Sequence, residues 1–326
     1  PANETVAGIS AGVPTDAAIG ALGCLSPWQQ LKALRRELKM PATGKRAADG
    51  VLAKFELNGK QYFGINSWAG SDAAARAAFE SGAWSKQAPS ARKRVLQKFA
   101  ELIVANHEEL ALLETLDTGK PIRDSLSVDI PAAARCIQWY AEAVDKIYDE
   151  VAPTSQDALA LITREPLGVV GAIVPWNFPL IMAAWKIGPI LAAGNSLVLK
   201  PSEKSPLSAI RVAQLASEAG IPDGVFNVVP GLGMPAGKAL ALHMDVDGIA
   251  FTGSTATGRS VMQYAGQSNL KRVSLECGGK SPNIVMADYE DLDRAATAAA
   301  FAIFFNQGEM CSAGSRLLVQ ADIKDA

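Results

Sequence analysis

Histidine is nearly missing: the chain has two in 326 residues, His107 and His243. His107 falls in Asn-His-Glu-Glu, on a stretch that reads as an exposed helix face, and His243 in Ala-Leu-His-Met-Asp, close to a helix end. Neither has other metal ligands at useful spacing, which argues against a histidine-built zinc site. A Ser-His or Cys-His pair would have to recruit one of them from far along the chain, so activation of a nucleophile falls to a carboxylate. Cysteine is scarce too. Cys24, Cys136, Cys277 and Cys311 are widely spread with no Cys-x-x-Cys spacing, and read as reduced thiols rather than a disulfide framework. An excess of one charge is also lacking: 31 Lys and Arg stand against 33 Asp and Glu. That leaves no electrostatic reason to expect nucleic acid or an anionic membrane as partner. No apolar run reaches the ~20 residues of a membrane span, and Pro1 does not open a charged-then-apolar leader. The expectation is a soluble, cytoplasmic chain. With 49% apolar residues it is long enough for one large or two ordinary domains with cores of their own.

What is present centres on Ile303-Phe-Phe-Asn-Gln-Gly-Glu-Met-Cys-Ser-Ala-Gly-Ser-Arg316, which sets Cys311 among small and polar residues straight after an Ala-rich helical run. A thiol there can be reached by a substrate, and it becomes a nucleophile as the thiolate, from an unperturbed pKa of ~8.5. A candidate base that is not histidine is Glu276, in Ser274-Leu-Glu-Cys-Gly-Gly-Lys-Ser-Pro282. A candidate oxyanion donor is Asn177, in Val174-Pro-Trp-Asn-Phe-Pro179.

From Ser71 the pattern is helical, with runs over Asp72 to Phe79, Ser90 to Ile103 and Leu110 to Leu116, and a further helix from about Ile130 to Tyr148. Val95, Leu96, Phe99, Leu102 and Ile103 keep the 3.6 period of a core-facing stripe, and Ser90 is expected to cap that helix. Asp117-Thr-Gly-Lys-Pro121 ends the third helix. Cys136 lies on an apolar face, as a buried inert thiol. Between Gly168 and Gly279 short apolar strands alternate with helices, which implies an α/β fold with a doubly wound parallel sheet. Such sheets bind ligands at the carboxyl ends of their strands, where Lys200, Phe251 to Ser254 and Glu276 fall.

Gly231-Leu-Gly-Met-Pro-Ala-Gly237, with Gly233, follows a strand and precedes a helix, but its Gly-x-Gly-x-x-x-Gly spacing makes it a weak dinucleotide signal. Gly278-Gly-Lys-Ser281 is not a P-loop, because the required upstream Gly is Ser274. Gly253-Ser-Thr-Ala-Thr-Gly258 is the better phosphate site: a strand gives way to a helix whose first N–H groups and Ser254 hydroxyl can meet a pyrophosphate.

Five stretches in order, Pro175-Trp-Asn-Phe-Pro179, Leu199-Lys-Pro-Ser-Glu203, Phe251-Thr-Gly-Ser254, Glu276-Cys-Gly-Gly-Lys-Ser-Pro282 and Asn306-Gln-Gly-Glu-Met-Cys311, resemble the signature set of the NAD(P)-dependent aldehyde dehydrogenase superfamily. The resemblance runs from about Ser71 to the end. It implies a Rossmann-like cofactor domain over 71–147 and 167–278, and a protruding β-hairpin over 148–166 that pairs with a neighbouring subunit in a homo-oligomer; an ordinary edge hairpin is the other reading. Residues 279–326 would begin a catalytic domain, and 1–70 stay unassigned apart from a hairpin expected over Phe55 to Phe63.

The resemblance further implies Cys311 as nucleophile, Asn177 as oxyanion donor and Glu276 as general base. It implies NAD as cofactor, NADP being possible, held by Trp176, Lys200, Ser202, Glu203, Gly233, Phe251, Gly253, Ser254 and Gly278. A carboxylate at Glu203 suits two ribose hydroxyls and repels a 2′-phosphate; a solvated Lys-Glu loop pair is the plain alternative. The wording around Glu276 and Arg316 is most similar to the branch acting on γ-aminobutyraldehyde and its γ-glutamyl conjugate in polyamine breakdown. Phe178, Trp185, Met310 and Ser312 would then line the substrate pocket. Asp129 would face a cationic tail, or else cap the helix at Ile130. Finally, the chain stops fifteen residues after Cys311, without the family's Glu-x-Phe-Gly-Pro motif. This makes the last segment an incomplete domain with an uncovered apolar face, and it keeps open a second reading: a non-catalytic piece that binds nucleotide or serves as an interaction surface.

Overall fold

In a computed structural model the structure describes residues 53–57, 60–64 and 68–325. The first described elements are β1 (Ala53–Leu57) and β2 (Lys60–Gly64), an antiparallel pair joined across two residues. The hairpin expected over Phe55 to Phe63 is therefore found, while its Asn58-Gly59 turn lies outside the described residues, as does Cys24.

Four helices of more than one turn follow: α1 (Trp68–Ser81), α2 (Pro89–Ala105), α3 (His107–Thr118) and α4 (Ile130–Ala143), with a single turn at Ile122–Asp124 before the last. Ser90 does not cap α2. The cap position is Ala88, without a side-chain bond, and Pro89 opens the helix; proline's fixed φ suits the first helical position and its missing N–H needs no partner there. Gly119 ends α3 at φ 82, the left-handed region that glycine enters at little cost. Asp129 does not cap α4 either. It closes a π-turn over Ser125–Asp129 that runs directly into the helix, so no helix start is left to be capped.

A short antiparallel pair, β3 (Glu150–Ala152) and β4 (Ala160–Ile162), stands apart from the other sheets. Tyr148, Val151, Leu159, Leu161 and Ile162 on it are exposed.

The centre is a five-stranded parallel sheet in the order β7-β6-β5-β8-β9, built from β5 (Val169–Ile173), β6 (Ser196–Lys200), β7 (Phe226–Val228), β8 (Gly248–Gly253) and β9 (Arg272–Cys277). The crossovers are α5 (Pro179–Ala192), α6 (Leu207–Ala219), a π-turn over Gly233–Gly237 leading into α7 (Lys238–Leu242), and α8 (Thr255–Gly266). Strand period 2 divides the core. Val170, Ala172, Leu197 and Leu199 face one apolar cluster with α2, α4, α5 and α6, whereas Val169, Ile173, Val198 and Phe251 face a smaller one with α7 and α8. Each fully buried Leu or Ile contributes roughly 2 kcal/mol, so β5 and β6, buried at every position, anchor the sheet. β9 is an edge strand with most residues exposed.

The chain then forms β10 (Pro282–Val285), α9 (Leu292–Phe304) and β11 (Arg316–Val319), with β10 and β11 paired in parallel as a separate two-stranded sheet. Ile284, Met286, Phe301, Phe304, Leu317 and Leu318 are exposed there.

Candidate active site

The strand order reverses between β5 and β8: from β5 the chain winds outward through β6 and β7, then returns to place β8 and β9 on the other side. Loops leaving the carboxyl ends of β5 and β8 therefore diverge and leave a crevice. A cleft of about 640 Å³ lies there, bounded by Trp176 and Asn177 after β5, Gly253 and Ser254 at the end of β8, Glu276 to Lys280 at and beyond the end of β9, and Gly308, Glu309 and Cys311. The sheet topology thus brings Asn177, Glu276 and Cys311 to one cleft although they are far apart in sequence.

Asn177 sits in the connection from β5 to α5. Its side-chain Nδ2 donates to the Glu309 carbonyl at 2.6 Å, and the Asn306 side-chain amide donates in return to the Asn177 carbonyl at 3.0 Å. These reciprocal bonds lock the Asn177 turn to the loop that carries Cys311. The same loop is bent by Asn306, Gln307 and Gly308, at φ 49, 61 and 77, a conformation that costs of order 1 kcal/mol or more for a residue such as Gln307. Asn306 is buried, and its side-chain bond to the Asn177 carbonyl helps offset that cost. On the far side of the cleft, the Gly279 N–H donates to the Cys311 carbonyl at 3.3 Å, tying the end of β9 to the cysteine.

The Cys311 thiol is exposed, whereas Cys136 and Cys277 are half-buried. Burial pushes the Cys136 thiol up, which disfavours its thiolate. Cys277 borders the cleft but packs on α8, where a Cβ on Gly258 would stand 3.3 Å from its sulfur. Neither histidine borders the cleft: His107 is exposed at the start of α3, and His243 lies 3.7 Å from Asp72. The carboxylates of the cleft are Glu276, exposed on edge strand β9, and Glu309. Sequence reasoning missed Glu309. Its Oε2 is buried without a hydrogen-bond partner, and burial pushes its carboxyl up against the opposing Lys120 and Lys204 ammoniums.

Of the expected cofactor residues, Trp176, Gly253, Ser254 and Gly278 border this cleft. Ser254 caps α8, its Oγ accepting the Thr257 N–H at 3.2 Å; the helix start is thereby presented to the cleft, as an anion site requires. Gly253 cannot carry a side chain without displacing the buried Phe251, whose ring stands 2.6 Å from where a Cβ would be. Lys200 ends β6 almost fully buried, with Nζ 3.6 Å from Glu203 and 2.9 Å from the Pro201 carbonyl. Burial pushes its pKa down, Glu203 opposing. Ser202 is buried, its Oγ accepting the Lys204 N–H at 3.2 Å. Gly233 is exposed at the start of the π-turn, with open space where a side chain would be. Lys200, Ser202, Glu203, Gly233 and Phe251 do not border the cleft that holds Cys311.

The expected substrate residues are dispersed. Phe178 is buried against Phe305, and Met310 packs on the larger core. Trp185 is half-exposed and, with Lys186, Leu275 and Glu276, borders a second hollow of about 330 Å³. Ser312 is exposed beside Cys311, but outside the residues bordering the cleft. Asp129 has no face toward a cationic substrate: it is buried and its carboxylate takes the Lys120 ammonium at 2.7 Å. No single apolar tunnel is formed by Phe178, Trp185 and Met310 here. Among the described residues no group of three or more His, Cys, Asp or Glu could hold a metal, and no helix is long and apolar enough to cross a membrane.

An NADP/NAD-dependent aldehyde dehydrogenase of Escherichia coli, PuuC, is 65% identical over 252 residues, covering 77% of this chain and 51% of the relative. A solved indole-3-acetaldehyde dehydrogenase complexed with NAD is 67% identical with a TM-score of 0.77, over 78% of this chain and 52% of the other. A solved γ-glutamyl-γ-aminobutyraldehyde dehydrogenase from Burkholderia cenocepacia is 65% identical with a TM-score of 0.78, over 81% and 53%. The chain spans about half the length of the relatives it matches. Residues 70–326 match the aldehyde dehydrogenase family throughout, and the chain belongs to that family.

Proposed function

We propose that this chain oxidises an aldehyde to a carboxylic acid with NAD as the oxidant, through a covalent intermediate on Cys311. The observation that carries the reading is the single cleft shared by Asn177, Glu276 and Cys311 at the carboxyl ends of the strands. Cys311, as thiolate, attacks the carbonyl carbon to give a thiohemiacetal. The developing oxyanion is held by the Asn177 side chain, whose amide has a second N–H beyond the one given to Glu309, and by the Cys311 backbone N–H. One such donor lowers the barrier by ~3 kcal/mol. Ser254 and the capped start of α8, with Lys200 and Glu203, would hold a nicotinamide dinucleotide, which would supply the acceptor for the hydride this carbon loses in becoming a thioester. Glu276 then takes a proton from the water that releases the acid.

The residues present fit a dinucleotide. The capped start of α8 and Ser254 suit a pyrophosphate, and the side-chain-free surface at Gly253 allows close approach. Lys200 and the half-exposed Glu203 suit a ribose, the carboxylate favouring NAD over NADP. An aminoaldehyde of polyamine breakdown is the proposed substrate, supported by the likeness to the relatives named above; with Asp129 engaged by Lys120, an acidic partner for the amino group has to come from elsewhere. Formation of reduced nicotinamide by the purified chain is the test, with 4-aminobutanal and pentanal as equal-length aldehydes and with NAD and NADP. The reading expects turnover above background, faster with 4-aminobutanal and with NAD. Equal rates on the two aldehydes would remove the aminoaldehyde, and NAD binding without turnover would remove the activity. That last outcome favours the second reading, a nucleotide-binding or interaction piece, which the exposed apolar residues of β10, α9 and β11 support.

The β3–β4 hairpin is proposed to join subunits: two short strands leave both outer edges unpaired and apolar side chains exposed. Light scattering should give a dimer or larger, with Leu161→Asp shifting the mass toward the monomer. A monomeric parent chain would sink this.

A further inference from the structure

Beneath the Asn177 turn lies a buried charged group that the reaction above does not use. Lys120, Glu114 and Asp129 have side chains with 0%, 0% and 2% exposure. Lys120 Nζ stands 2.7 Å from Asp129 and 3.8 Å from Glu114. Burial pushes the Glu114 carboxyl up to about 8 and the Asp129 carboxyl upward as well, with Lys120 opposing at both, and Lys120 with Asp129 makes the closer ion pair. Taking such a pair out of water is costly, and burying it is weak evidence for stability alone.

Ser208 of α6 and Asp124 flank this group on other sides, and the oxyanion-donor turn touches it at two points. Lys120 Nζ lies 4.4 Å from the centre of the Phe178 ring, next in sequence to Asn177. Glu114 Oε2 accepts the Leu180 N–H at 3.2 Å, at the start of the helix that this turn enters. That helix has no side-chain cap of its own from Phe178. Before Asn177, the Trp176 ring carries the Lys204 ammonium 5.0 Å from its centre. An ammonium over an aromatic face is attractive, more so when desolvated. The turn is thus clamped through both neighbours of Asn177, and only one of the two cations is buried and held by acids.

We propose that Lys120, held by Asp129 and Glu114, is a positioning residue that aims the Asn177 amide at the carbonyl oxygen of a substrate attacked by Cys311. This rests on the reading of Asn177 and Cys311 as oxyanion donor and nucleophile. Two probes of Cys311 on the full chain separate the two ideas, and neither needs cofactor. With p-nitrophenyl acetate the thiolate sulfur bonds the acyl carbon, negative charge gathers on the carbonyl oxygen, and the bond to the leaving oxygen breaks to release nitrophenolate. With iodoacetamide the sulfur displaces iodide and no oxyanion forms. Asn177→Ala should slow acylation about 100-fold and leave alkylation within about twofold. The double variant Lys120→Met/Asp129→Asn, which removes both charges at similar volume, should slow acylation about tenfold with alkylation unchanged, and Lys120→Arg should restore part of it. Added to Asn177→Ala, the double variant should cost nothing further, because both act through one amide.

A loss that adds to that of Asn177→Ala would overturn the proposal, as would an equal loss of alkylation, which a merely loosened cleft would produce. Thermal unfolding of each variant identifies one that does not fold; Lys120→Arg acylating no faster than the double variant also counts against the idea. Failure of the parent chain to acylate at Cys311 would instead bring down the underlying reading.

Discussion

Cys311→Ala will leave the chain without aldehyde-dependent formation of reduced nicotinamide, a loss on the order of 10⁴-fold or more. The substitution keeps the loop intact, including the Cys311 carbonyl bond to Gly279, and removes only the sulfur. Among the described residues neither other thiol is placed to take over. Cys277 borders the cleft but packs on α8, and Cys136 is half-buried with a thiol disfavoured as thiolate. The measurement is turnover together with the intact mass after exposure to an acylating ester, where the parent gains one acyl group and the variant none. Cys277→Ala serves as the control, with turnover close to that of the parent. Retention of even a tenth of the activity in Cys311→Ala would end the covalent mechanism.

Glu276→Gln should separate the two halves of the reaction. Glutamine has nearly the size and hydrogen-bonding reach of glutamate but takes no proton, so attack by Cys311 proceeds and release of the acid slows by about 10² to 10⁴. The expected record is one burst of product equal to the enzyme present, followed by a slow steady phase, with acylated Cys311 accumulating in the mass spectrum. The competing carboxylate is Glu309. It is the less accessible of the two: Glu309 is half-buried with one carboxyl oxygen shut away from solvent, whereas Glu276 is exposed to a water in the cleft. Glu309→Gln should therefore leave deacylation largely intact. A burst in Glu309→Gln but not in Glu276→Gln would transfer the role to Glu309.

Much of this architecture was legible because it rests on local signals. Short apolar runs between Gly168 and Gly279 separated by helical stretches lead to a parallel sheet, and the fully buried β5 and β6 are the most apolar of those runs. Gly119 marked the end of α3 because a left-handed residue without a Cβ is a local requirement. The errors were local as well, but of a different kind. Ser90 looked like a cap, yet Pro89 one residue earlier already satisfied the helix start. Asp129 looked available to a ligand because nothing in its sequence neighbourhood shows that Lys120 will fold back beneath it.

By itself the sequence determined the alternation of strands and helices between Gly168 and Gly279, and it pointed to Cys311 among the thiols and to a carboxylate base in a chain with two histidines. These follow from residue types and spacings that act within a few positions. Only the tertiary structure decided that Asn177, Glu276 and Cys311 border one cleft, that Phe178, Trp185 and Met310 do not share a tunnel, and that Glu114, Lys120 and Asp129 meet under the Asn177 turn. Those outcomes depend on which strands become neighbours and on where buried charges find partners. Both are set by packing between segments distant in sequence, which no local pattern encodes.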